Sequence, residues 1–362
     1  MPRSHLWQIT QALGATSIQL GEWELPQHFG DVPAEYQFLR QGAGLCDCSD
    51  RGLVRVNGKD GARFLHAMVS NDTKSLPPGQ GCQATFLTAK GHLIADFIVY
   101  AEEGSYLLEM EPHNVQPFIT AIDFFVISED VTFNDETGTH GLLGVQGPRA
   151  AELVHLASGR ALPDLPMYAH VPWQLAGHDV LLIRRSYTGD DGYLLCTSPA
   201  HVAAVWQALW QQRQACGAGP VGRAAMEIAR IEAGRPVFGQ DMSDETLPME
   251  ANLDAALSYT KGCYIGQEVV ARVEARGHVN RKLVGLRLQG EALPEHGAKI
   301  LSPQREVGWI TSTAYSPALQ QPIALGYVRR EAMAPGTALT VQTATGSVEA
   351  TVAALPLHKS AQ

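Results

Sequence analysis

Two stretches of the chain, GSYLLEMEPHNV (104–115) and DGYLLCTSPAHV (191–202), share one pattern. Tyr106 matches Tyr193, Leu107 and Leu108 match Leu194 and Leu195, Pro112 matches Pro199, and Val115 matches Val202, all at an offset of 87 residues. Each stretch follows an apolar run and a turn, DFIVYAEEG in one case and VLLIRRSYTGDDG in the other. Each precedes a helical segment, NVQPFITAIDFF or HVAAVWQALWQQ. The repeated unit is strand–turn–strand–helix, the kind found in ferredoxin-like layers. Hairpin–helix units are common enough to match by chance; the constant offset favours duplication.

Further helices are expected at 34–43, 60–69, 148–157, 200–214 and 222–233, the third opening with Pro at an early helical position. The texture changes from Lys282 onward. Short β-rich runs (LVGLRL, AKILS, EVGWITSTAY, IALGYV, ALTVQT, SVEATVAAL) are separated by Gly and Pro, which suggests a small antiparallel barrel or sandwich. The expected organisation is an α+β core over 1–275, a linker near 276–282 and a β-domain over 280–362. A length of 362 residues suits two or three domains, and 45% hydrophobic residues can fill a large core. With 18% charged residues, disorder is not expected.

The net charge of −10 opposes non-specific attachment to nucleic acid or anionic membranes. No apolar run has the length of a membrane helix, and MPRSHLWQITQALG lacks the apolar core of a signal peptide, so a cytoplasmic location is expected. Cys46, Cys48, Cys82, Cys196, Cys216 and Cys263 are scattered without a CxxC pair; buried thiols, not disulfides or a metal site, are expected. The chain has no P-loop, HExxH or GxSxG, and no GxGxxG follows a strand.

Several residues could carry chemistry. In LIADFIVY (93–100), side-chain alternation puts Asp96 on the same face as Ile94, Ile98 and Tyr100. A carboxylate in an apolar row is costly unless something pairs with it; it either points to solvent, pairs with an arginine, or serves a ligand. In SYTGDDGY (186–193), Gly189 and Gly192 suit left-handed turn positions. Asp190 and Asp191 there are a solvated turn or a ligand's acceptors. Arg230 ends a helix in ARIEAGRPVFGQDM; it can bind a carboxylate bidentately or pair locally. Arg272, Arg276, His278, Arg281 and Lys282 form a basic cluster, which is a solvated face or an anion-binding patch at the domain junction. In KGCYIGQE (261–268), Cys263 follows Lys261 and precedes a helical QEVVARVEA. A nearby ammonium and helix-end N–H groups favour the thiolate. The plain reading is a core cysteine beside Tyr264.

Taken in order, PAEYQFLRQGAGLCDCSDRG, VNGKDGARFLHAMVSNDTKSLPPGQG, LTAKGHLIADFIVY, SYTGDDGY, RIEAGRPVFGQDM, KGCYIGQE, RGHVNR and VGWITSTAYSPALQQPIALGYV resemble, nearly end to end, the folate-binding family of the glycine-cleavage T-protein (aminomethyltransferase). KGCYIGQE resembles the mark of that family's YgfZ-type branch. The resemblance implies two interlocked ferredoxin-like α+β subdomains around a central folate cavity, closed by a C-terminal β-barrel. It implies tetrahydrofolate or another reduced folate as cofactor. It puts Asp96 in the place of an essential aspartate, Asp190 in that of a pterin-holding glutamate, and Tyr187 and Arg230 on the cavity. The chain departs from the T-protein pattern at Thr88 and Ala95, where Asn and a second acid are usual, and at Met226–Glu227, where an Arg-Asp pair is usual.

The branch resemblance implies a tetrahydrofolate-binding accessory factor that supports iron–sulfur enzymes, among them enzymes of tRNA modification, through a reactive Cys263. Its partners would be iron–sulfur client enzymes or assembly factors. Against this stands a folate-dependent aminomethyltransferase or demethylase acting on a small amine or sulfonium, with Asp96 positioning the amine or moving its proton. A folate sensor without chemistry is the third reading.

Overall fold

The computed structural model describes residues 3–303, 305–344 and 346–358; residues 1–2 and 359–362, at the outer ends of the two expected domains, lie outside the described residues. Two antiparallel-rich sheets carry the core. One has the spatial order Gly81–Leu87, Leu93–Glu102, Ser105–Met110, Gly52–Asn57, Thr132–Asp135. The other runs His170–Leu175, His178–Arg184, Gly192–Thr197, Gly141–Gln146, Ala43–Asp47, Ala218–Val221.

Both sheets are built from the same succession: a strand, a helix, a three-strand meander, a second helix and a final strand. The helices are Gly61–Met68 and Val115–Asp123 in the first unit, and Ala150–Ser158 and Val202–Gln212 in the second. Tyr106 and Tyr193, matched in the sequence, lie on the third strand of each meander. One strand breaks the equivalence. Ala43–Asp47 precedes the first unit in sequence yet sits in the second sheet, antiparallel to Gly141–Gln146 and parallel to Ala218–Val221. After a separate hairpin, Thr16–Leu20 with Trp23–His28, the chain therefore enters one core sheet at Ala43, builds the other and returns, which interlocks the two halves.

Alternation along Leu93–Glu102 separates two environments. Ala95, Phe97 and Val99 pack with Phe64 and Phe118 under the helices of their own sheet. Ile98 and Tyr100 face the other way, into a cluster with Leu142, Ile183 and Leu194 of the opposite sheet. Asp96 shares that second face, so the strand aims its carboxylate between the sheets.

The helices at 32–41, 61–68, 150–158, 202–212 and 223–233 fall within two residues of the sequence reading. Beyond Gly277 the six β-rich runs form a closed barrel, ordered Arg281–Leu288, Gln321–Arg329, Arg305–Ser316, Lys299–Ser302, Ala338–Thr343, Gly346–Ala353. Its joint with the core is polar and buried. Glu232, fully buried on helix Arg223–Ala233, accepts hydrogen bonds from Tyr36, Arg40 and the barrel's Ser316. Asp241 accepts from the barrel's Thr311 and Ser312. No helix among the described residues is long and apolar enough to cross a membrane.

Candidate active site

The space between the sheets, helix Arg223–Ala233 and the edge of the barrel is a cavity of about 1620 Å³. Ordinary ligand pockets measure about 300–1,000 Å³, so this one has room for a cofactor and a second reactant together.

Its floor is a buried ionic network. Glu109, on strand Ser105–Met110, is 1% exposed. It accepts from Arg51 Nε at 3.0 Å, Arg185 Nε at 2.9 Å, Tyr100 Oη at 2.6 Å and Tyr187 Oη at 2.9 Å. Burial by itself would raise the Glu109 carboxyl; Arg185 and Arg51 outweigh it and hold the group down to about 2. Arg51 also pairs with Glu111. The Arg185 guanidinium lies 4.4 Å from the centre of the Tyr187 ring, within cation–π range.

Asp96 stands beside this network under opposite conditions. It lines the cavity, and among the described residues its carboxylate has no side-chain hydrogen bond or ion pair. Burial and the neighbouring Glu111 push its carboxyl up to about 6, against the pull of Arg51 and Arg185. An acceptor kept short of donors in a covered site is suited to a ligand that brings N–H groups with it.

The structure distributes the other sequence candidates unequally. Tyr187 is on the cavity wall, its hydroxyl committed to Glu109. Asp190 is not among the lining residues; its carboxylate pairs with Arg40, which also holds Glu232. The turn that carries it packs tightly: Gly189 has φ +89°, and a Cβ there would come within 2.6 Å of the Ala233 side chain. Arg230 borders the cavity, but its N–H groups are spent inside the protein, two on Glu227 and one each on Asp241, Ser312 and the Arg235 carbonyl. A guanidinium has five such donors, so Arg230 ties the cavity wall to the barrel. Replacing Arg230 by Met is expected to cost about 3–5 kcal/mol, the usual result of stranding a buried carboxylate, here Asp241. Urea denaturation would register the loss; unchanged stability would mean that the tie is dispensable.

Cys263 is exposed and is not among the lining residues. Tyr264, not the cysteine, enters the core, beside Leu87 and Met249. The Lys261 ammonium is turned under the chain, where it caps the carbonyls of His66, Val69 and Asn71 at the end of helix Gly61–Met68. Burial pulls it down to about 8. The lysine expected to favour a thiolate is thus occupied with a helix terminus. Of the basic cluster, Arg272, Arg276 and His278 are exposed and Arg281 is held by Glu250 beside the stacked rings of Trp309 and Tyr327; none lines the cavity. Cys46, Cys48, Cys196 and Cys216 are buried as free thiols, and burial pushes Cys48 up to about 12.

The sequence reading missed Arg51, Glu109, Glu111, Arg185 and Arg235. Glu109 was open to the argument applied to Asp96, a carboxylate inside an apolar strand. The arginines carried no such signal, because each lies at a strand or helix end where a charge is ordinary.

Residues 6–261 match the family model described as the GCVT N-terminal domain, and residues 281–359 match the glycine cleavage T-protein C-terminal barrel domain. The chain belongs to the glycine cleavage T-protein family. It is 34% identical to an aminomethyltransferase of Saccharopolyspora erythraea over 98% of this chain and 97% of that one. It is 30% identical to an aminomethyltransferase of Halothermothrix orenii, over 98% and 99%. A crystal structure of the glycine cleavage system aminomethyltransferase T from Bartonella henselae superposes with a TM-score of 0.89 at 23% identity, covering 99% of this chain and 98% of that one, and so shares the fold.

These matches overturn the reading of the chain as an accessory factor for iron–sulfur enzymes. Relatives matched along nearly the whole chain are named aminomethyltransferases. The matches support the T-protein family as a whole; they lend no support to the YgfZ-type branch, iron–sulfur clients or tRNA modification. KGCYIGQE is a short stretch at the edge of the core, and its likeness to one branch weighs less than the match along the remaining length of the chain.

Proposed function

We propose that this chain is a tetrahydrofolate-dependent aminomethyltransferase, moving a one-carbon unit from an amine to reduced folate inside the central cavity. Tetrahydrofolate is the substrate or cofactor of aminomethyltransferases of this family. The observation that carries the reading is Asp96: a carboxylate without a side-chain partner, raised by burial, on the wall of a cavity large enough for two reactants. The cavity fits the group. The pterin ring brings N–H donors that a carboxylate accepts, and Tyr187, held by Glu109 and by the Arg185 guanidinium over its ring, supplies an aromatic group on the cavity wall. Bound folate supplies nitrogen nucleophiles that take up the one-carbon unit. Asp96 orients the amine or takes its proton, while Glu109, Arg51 and Arg185 fix the ground on which it does so. Asp190 and Arg230 act at one remove, holding the wall through Arg40 and Asp241.

The test is turnover. The protein is incubated with tetrahydrofolate and aminomethyl or N-methyl amine donors, and the folate products are read by mass spectrometry. Formation of methylene- or methyl-folate is expected. Tight folate binding without product from any donor would reduce the protein to a folate-binding module. Cys263→Ser is expected to leave both turnover and stability unchanged, because an exposed residue away from the cavity contributes within about 0.5 kcal/mol.

A further inference from the structure

Charges that line the cavity under cover are matched almost throughout. Arg51 pairs with Glu109 and Glu111, Arg185 with Glu109, Arg223 with Asp50, and Arg230 with Glu227 and Asp241. Asp47 is satisfied by Ser4 and Ser49. Two groups stand outside this matching. One is Asp96. The other is Arg235, which among the described residues has no carboxylate at ion-pair distance and makes one side-chain hydrogen bond, to the Ser186 carbonyl. That carbonyl also accepts from Arg185, so a second guanidinium lies close by. Burial and the Arg185 charge press against the protonated form of Arg235 and outweigh the opposite pull of Tyr168 and Asp190.

The placement of Arg235 is fixed by its backbone. Helix Arg223–Ala233 ends at Gly234 with φ +71°. The Gly234 N–H returns to the Ile231 carbonyl at 3.0 Å, and the Arg235 N–H to the Arg230 carbonyl at 3.0 Å. This pair of bonds is a Schellman closure, and Pro236 stiffens the next step. The helix end therefore sets a guanidinium on the cavity wall with no carboxylate at ion-pair distance among the described residues; Asp190 favours its charge from farther off but is itself paired with Arg40.

We propose that Arg235 is a carboxylate-binding residue of the cavity, so that the ligand held there presents N–H donors to Asp96 and a carboxylate to Arg235. This inference rests on the aminomethyltransferase reading and deepens it. An unmatched acid and an unmatched guanidinium in one cavity are complementary to a dipolar ligand, and guanidinium binds carboxylate in a two-point geometry that an amine cannot replace. Two sources offer that carboxylate: the glutamate end of the folate, or the carboxylate of an N-methylated amino acid serving as donor.

Calorimetry separates them with two ligand pairs, tetrahydrofolate against 6-methyltetrahydropterin and N,N-dimethylglycine against trimethylamine. Arg235→Gln is expected to weaken the carboxylate-bearing ligand of one pair by about 10-fold or more and to spare its carboxylate-free counterpart. The affected pair names the source. Arg235→Lys, which keeps the charge and loses the fork, should lie between. Free of ligand, Arg235→Gln should melt no lower than the wild type, since a residue held for binding at a cost to the fold behaves that way. A lower melting temperature for Arg235→Gln, equal losses within both pairs, or no change in any pair would overturn the proposal. Failure of the wild type to bind either pterin, with the amino-acid pair still discriminated by Arg235, would sink the folate reading alone. Tight tetrahydrofolate binding that Arg235→Gln leaves untouched, together with an insensitive amino-acid pair, would sink the subsite alone.

Discussion

Asp96→Asn is expected to slow one-carbon transfer by orders of magnitude and, at neutral pH, to make the free protein more stable. Both effects have one origin. The Asp96 carboxyl is pushed up to about 6 from an ordinary value of 3.8 because it is covered and stands near Glu111. The folded state thus holds the proton more tightly than the unfolded chain does. Ionising Asp96 works against the fold: the cost is absent below about pH 4, grows between about 4 and 6, and is constant above that. Each tenfold difference in proton affinity between the folded and unfolded states corresponds to about 1.4 kcal/mol. Since the carboxylate opens onto the cavity, a gain of about 1–3 kcal/mol is expected for Asp96→Asn at pH 8, vanishing by pH 4. Turnover should fall by about 10²–10⁴, the range for loss of a positioned acid–base group. Wild-type turnover should itself rise through about pH 6 as Asp96 ionises. Denaturation at pH 4 and pH 8 and a pH–rate profile make the measurement. Undiminished turnover, or a variant less stable at pH 8, would remove Asp96 from the chemistry.

Much of this architecture could be read beforehand because it rests on short-range patterns. The matched tyrosines at 106 and 193 mark the third strand of each sheet, and the Gly- and Pro-bounded runs after Lys282 are the barrel strands. Alternation alone put Asp96 on one face with Ile98 and Tyr100; that this face meets the other sheet came from the structure. The strand Ala43–Asp47 could not be assigned that way. The sequence reading runs a helix as far as residue 43 and places no strand there, and the strand's neighbours come from near 145 and 220 in the sequence. Partner choice was the second obstacle. Asp190 stands in a turn that looks built for a ligand, yet its ion pair is with Arg40, 150 residues away in the chain. Arg230 and Arg235 are five residues apart on one helix end; the first is saturated and the second is not, and only the positions of Asp241 and Ser312 decide which.

Glu109→Gln should be strongly destabilising although it adds no bulk. Glu109 is where two arginines and two tyrosines from three parts of the chain converge under the cavity. Glutamine keeps the shape but carries no charge and offers one acceptor oxygen where the carboxylate offers two. Arg51 retains Glu111, whereas Arg185 keeps no acidic partner among the described residues. Leaving a buried charge without its counter-ion costs about 3–5 kcal/mol. The pH dependence of this contribution has the opposite sign to that of Asp96. Because Arg185 and Arg51 hold the Glu109 carboxyl down to about 2, against an ordinary 4.5, its stabilisation is complete above about 4.5 and is lost as the pH falls towards 2. The wild type and Glu109→Gln should therefore differ by the full amount at pH 7 and converge in acid. A second consequence reaches the chemistry. With Glu109 neutral, the charges of Arg51 and Arg185 act on Asp96 without a competing acid at their centre, so the Asp96 carboxyl must fall. The acid limb of the pH–rate profile should move to lower pH in Glu109→Gln, a shift that destabilisation alone does not produce. If the variant lost stability while its acid limb stayed in place, the network would be a structural floor with no hold on the carboxylate above it.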